Sequence, residues 1–80
     1  MPTPNITISR KLLIEAHDLV RKHFPQLKAI HTVGWTHQSS PRFWEFHGPE
    51  QFYWHGKADN GYHARYLGWL AWLRSKGVEV

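Results

Sequence analysis

The sequence contains no cysteine. A disulfide framework, a thiolate nucleophile and a cysteine-based zinc finger are therefore excluded. No apolar run approaches the roughly 18 residues that a bilayer-spanning helix needs. The opening Met-Pro-Thr-Pro-Asn lacks the cationic start and apolar core of a secretory signal, which leads to the expectation of a cytoplasmic protein. The glycines at 48, 56, 61, 68 and 77 have neither P-loop nor dinucleotide spacing, and no serine sits in a nucleophile elbow. Seven histidines are present, yet His-x-His, His-x3-His and His-Glu-x2-His are all missing. No metal and no cofactor is expected. No internal repeat or low-complexity stretch occurs, and 80 residues fit one small domain with no cleft between domains.

Aromatic side chains are abundant. Five Trp, four Phe and three Tyr make 15% of the chain. Each can bury about 150–250 Å², which offsets the poor surface-to-volume ratio of so short a chain. The hydrophobic fraction of 41% and charged fraction of 20% belong to a globular protein. The formal net charge is +4, and histidines add to it below about pH 6.5. The excess is concentrated in residues 1–28, where Arg10, Lys11, Arg21, Lys22 and Lys28 face Glu15 and Asp18. No run exceeds two adjacent cations, so the charge favours an acidic partner without making a polybasic arm.

Periodicity predicts the element order α-β-β-β-α. Residues 1–8, with Pro2 and Pro4, read as an extended segment. Ser9 reads as an N-cap. Leu12, Leu13, Ala16, Leu19, Val20 and Phe24 then recur at helical spacing until Pro25 stops the helix. Residues 28–38 alternate and are rich in β-formers, with Gly34 as a bulge or close contact. Ser39-Ser40-Pro41 reads as a turn, 42–47 and 51–57 as further strands, and Gly48-Pro49-Glu50 as the loop between them. Centring that hairpin on Pro49 sets Phe46 opposite Phe52 and Trp44 opposite Trp54, four rings on one face. A turn at 58–61, with Asp59 or Asn60 as cap, opens a second helix over 62–76 that Gly77 closes. Its core arc holds Tyr62, Tyr66, Trp69, Leu70 and Leu73, with Leu67 at the margin. The expected fold is a single α+β domain of two layers, with a three-stranded antiparallel sheet carrying both helices on its aromatic face.

Two surfaces are candidates for binding. On the second helix, Trp72 falls opposite that arc, between Arg65 and Lys76. An exposed Trp beside two cations suits an interface anchor; the alternative is that it tucks under a loop or the tail Val78-Glu79-Val80. The other candidate is the open sheet face, where Phe43, Tyr53, His55 and Lys57 interleave rings with basic groups. Such a surface suits single-stranded nucleic acid, a protein partner or a second copy of the chain. Glu45 and His47 share that face, but nothing indicates a pocket for general acid–base work, and a solvated face is the simpler reading.

The α-β-β-β-α order resembles the double-stranded RNA-binding domain in topology. That family's last helix has a Lys-rich start. The corresponding helix here opens Asn60-Gly61-Tyr62-His63-Ala64-Arg65, with one cation, so RNA binding is not carried over. The stretch Arg42-Phe-Trp-Glu-Phe through Trp54-His-Gly-Lys, followed by Tyr66-Leu-Gly-Trp-Leu-Ala-Trp-Leu-Arg-Ser-Lys-Gly, looks like small single-domain phage and prophage products. In size, aromatic content and layout the chain is similar to anti-CRISPR proteins. That resemblance implies a non-enzymatic inhibitor, monomeric or homodimeric, that blocks a bacterial nucleoprotein complex by protein contact. The alternative is a small basic nucleic-acid-binding domain.

Overall fold

A computed structural model of the protein describes residues 4–27 and 35–80. The elements are α1 (Pro4–His23), β1 (Trp35–Ser40), β2 (Phe43–His47), β3 (Tyr53–Lys57) and α2 (Gly61–Ser75), with a short 3-10 turn at Pro49–Gln51. The three strands form one antiparallel sheet in the order β1-β2-β3. This is the expected α+β domain. The part of the first expected strand that falls on residues 28–34, Gly34 included, lies outside the described residues, and strand pairing continues through Ser40 to a turn at Pro41 and Arg42.

The first helix starts earlier than its capping signal implied. Residues 4–8 are helical, not extended, and Ser9 lies inside α1 and not at its N-cap. Pro4 sits in the first turn, where a missing amide costs nothing and its fixed φ suits the helix. The β-branched run Ile6-Thr7-Ile8 has weak helix propensity and is exposed; the helix meets α2 immediately after it. The buried Ser9 hydroxyl accepts from the Asn60 Nδ2 at 3.2 Å, and the Arg10 guanidinium lies 5.9 Å from the Tyr62 ring centroid. Arg21, Lys22 and His23 complement the dipole of the last turn, and Pro25 follows.

The two helices run parallel, Ser9 beside Asn60, His17 beside Trp69 and Phe24 beside Trp72. The α2 helix opens on Asn60, whose side chain accepts from the His63 amide at 2.9 Å. Its end is a Schellman motif. The Gly77 amide donates to Arg74 O and the Val78 amide to Leu73 O, both at 3.0 Å, with Gly77 at φ 89°. Both ends follow the sequence reading.

The β2–β3 register differs from the expected one by two residues. Phe46 pairs with Trp54, Trp44 with Gly56 and Glu45 with His55. The hairpin is centred on Glu50, since the connection spends Gly48 to Phe52 on a wide loop, closed by Gly48 N–H to Phe52 O at 2.9 Å. Glu50 and Gln51 both adopt left-handed φ, 60° and 63°, at a cost of about 1 kcal/mol or more each. A slip of two is even, so it leaves every side chain on its expected face. Phe46 is fully buried, while Trp44, Phe52 and Trp54 are half-buried on the same side. The core joins Leu13, Ala16 and Val20 of α1 to Phe46 and to Trp69, Leu70, Trp72 and Leu73 of α2.

Candidate functional site

Trp72 is not an exposed anchor. It is 3% exposed and packs against Phe24 at 4.9 Å and Trp69 at 5.6 Å between ring centroids. The expectation failed because α2 is apolar on two sides. The arc through Trp69 meets α1, where His17 lies edge-on to Trp69 at 6.1 Å. The sheet lies against a second side, where Gly61 and Gly68 leave room for strand rings and Ala64 is fully buried. A Cβ on Gly68 would lie 2.1 Å from Phe46 Cγ, and one on Gly61 would lie 3.5 Å from Trp44 Cζ3. Bulky rings on the strands need a thin helix face, so glycine and alanine mark contact here and not solvent. Arg65 is half-buried, and the Lys76 ammonium sits 5.6 Å from the Trp72 ring centroid and pairs with the Glu50 carboxylate. The trio Trp72, Arg65 and Lys76 therefore does not form the protruding surface that the helical wheel suggested.

The open sheet face is assembled as expected, and it is larger than its first four residues. Register places three rows across the strands on the side away from the helices. Trp35, His47 and Tyr53 form one row; His37, Glu45 and His55 form the next; Ser40, Phe43 and Lys57 form the last. Trp35 and Tyr53 are 51% and 49% exposed, and His55 and Lys57 are also exposed. Phe43 is half-buried and stacks on His55 at 5.3 Å.

The rings brace one another. His47 lies between Trp35, 4.4 Å away and edge-on, and Tyr53 at 5.3 Å. Along each edge strand the rings stack, Trp35 on His37 at 6.2 Å and Tyr53 on His55 at 6.1 Å. His47 Nε2 is shielded from solvent without a hydrogen-bond partner among the described residues, 3.6 Å from Glu45 Oε1. Sequence reasoning missed Trp35 and His37 as members of this face, although both follow from two-residue alternation once β1 is paired to β2.

The face is a surface and not a cleft. Among the described residues, no group of three or more His, Asp or Glu side chains is arranged to hold a metal ion. Nor is any helix among them long and apolar enough to cross a membrane. On the described face the charge of Lys57 balances that of Glu45, and the cations of α1 lie on another element. In comparisons with protein-family models, curated proteins and solved structures, the chain has no match.

Proposed function

We propose that this chain is a non-enzymatic binding module that sets the open face of its sheet against a protein subunit of a bacterial nucleoprotein complex and inhibits it, in the manner of an anti-CRISPR protein in the host cytoplasm. One observation carries the reading: two large rings, Trp35 and Tyr53, stand half-exposed on either side of His47 on a paired sheet. Trp and Tyr dominate the energetics of protein interfaces. Here they cost little conformational entropy on binding, because neighbouring rings already hold them. Strand spacing and rise give the face an area of about 250 Å², against about 800 Å² per partner in a stable interface. It is the size of a central cluster, with the Arg42 turn and the β1 edge as its rim.

Charge favours a protein over nucleic acid as the partner. A single strand carries one phosphate per nucleotide and needs a positive track. This face has a carboxylate, Glu45, in its middle row and a single ammonium, Lys57, with Arg42 at its rim. Direct nucleic-acid binding remains the second reading, favoured by the ring stacks on β1 and β3.

The test is phage plating. Expressed in a bacterium whose CRISPR immunity excludes a phage, the chain restores plaques. Failure across representative systems contradicts the inhibitor reading. A gel-shift titration separates the second reading, which requires retarded single strands and a salt slope of about −0.7 per phosphate contact.

A further inference from the structure

A second site lies away from the sheet face and does not depend on it. A groove of about 440 Å³ opens where the C-terminal ends of α1 and α2 meet the β2–β3 loop. Its walls are Phe24, Pro25, Leu27, Pro49 and Trp72, and its charged rim includes Glu50 and Lys76. The volume falls within the range of small-molecule sites. We propose that this groove binds a small organic ammonium ion with an apolar substituent, and that Lys76 is its built-in competitor.

The chain already shows the recognition. The Lys76 ammonium lies over the Trp72 ring, 5.6 Å from the centroid, while pairing with the Glu50 carboxylate. An aromatic face and a carboxylate are the two elements that hold an alkylammonium. Phe24 packs beside Trp72 at 4.9 Å and extends the aromatic wall. The carboxylate is delivered by a strained backbone, since Glu50 and the following Gln51 both hold left-handed φ without being glycine. The C-terminal ends of both helices converge at the same place; that of α1 is met by its own Arg21, Lys22 and His23, and His23 also lines the groove. An incoming ammonium exchanges one cation for another over Trp72. Its apolar substituent gains contact with Phe24, Leu27 and Pro49, which the Lys76 stem, rooted in the end of α2, does not fill.

Titration with benzyltrimethylammonium chloride, followed by the NMR signals of Trp72 and Phe24, tests the proposal, with sodium chloride as the control for ionic strength. Saturable shifts are expected at these two residues. Removing the competitor in Lys76→Ala or Lys76→Met tightens binding by about two- to tenfold, and Glu50→Gln weakens it by a similar factor. Urea midpoints of all three variants check that the fold is retained. Absence of saturation in both wild type and Lys76→Ala overturns the proposal. So does weaker or unchanged binding in both Lys76 variants, which would make Lys76 part of the site's structure and not its competitor.

Discussion

Replacing Gly68 by alanine sets two well-known effects against each other. Gly68 lies in the middle of α2, where glycine costs about 0.8–1.0 kcal/mol relative to alanine. On a solvent-facing helix position the substitution would therefore stabilise the protein. Here the added Cβ would lie 2.1, 2.4 and 2.6 Å from the Cγ, Cδ2 and Cβ atoms of Phe46. Such distances cannot be relieved by a rotamer change, because Phe46 Cβ is itself one of the atoms in conflict. Either β2 or α2 must move, and Phe46 is fully buried against Trp69 at 5.3 Å. Overpacking of this kind costs about 1–3 kcal/mol, and we expect a net loss in that range. In a domain of this size that lowers the melting temperature by roughly 4–8 °C per kcal/mol. Urea unfolding followed by circular dichroism gives the sign directly. A double-mutant cycle with Phe46→Ala should show coupling, because removing the ring takes away Cγ and Cδ2, two of the three atoms in conflict with the methyl. A higher midpoint for Gly68→Ala would refute the placement of the sheet against Gly68.

Three further outcomes follow from the packing. Trp72→Ala should cost about 3–5 kcal/mol, visible as a large fall in melting temperature; unchanged stability would return Trp72 to the surface. Asn60→Ala removes the acceptor for the His63 amide and the donor to Ser9, and should lower the urea midpoint by the equivalent of about 1 kcal/mol. Gln51→Gly relieves a left-handed φ of 63° on an exposed side chain and should raise the midpoint by the equivalent of about 1 kcal/mol; a lower midpoint would count against strain at that residue.

Local chemistry made most of the fold legible. Asn60 and Gly77 marked the ends of α2, Pro25 marked the end of α1, and alternation put Trp44, Phe46, Phe52 and Trp54 on one face. Where reading failed, a tertiary contact overrode a local signal. Pro2 and Pro4 make residues 1–8 read as extended, but the helix begins at Pro4 and meets Asn60 and Tyr62 through Ser9 and Arg10. The hairpin register depended on left-handed residues at 50 and 51 that nothing in Glu-Gln announces. The pattern of α2 misleads because the helix is apolar on two sides, and only one of them shows as a hydropathy arc. Glycine scores as neutral on a hydropathy wheel, although Gly61 and Gly68 are where large rings insert. The sheet face survived because its membership depends only on parity along the strands, which the two-residue slip preserves.

The claim that the Trp35–His47–Tyr53 row is the contact surface is tested most directly by the double variant Trp35→Ala/Tyr53→Ala in the plating assay. Both side chains are about half exposed, so the urea midpoint should fall only by the loss of their ring contacts with His47, about 0.2–1 kcal/mol for each cross-strand pair. Interface anchors of this kind cost at least about 2 kcal/mol each, so inhibition should fall by about a hundredfold or more. Plaque recovery equal to that of the wild-type chain, from a variant that is stably folded, would contradict the account.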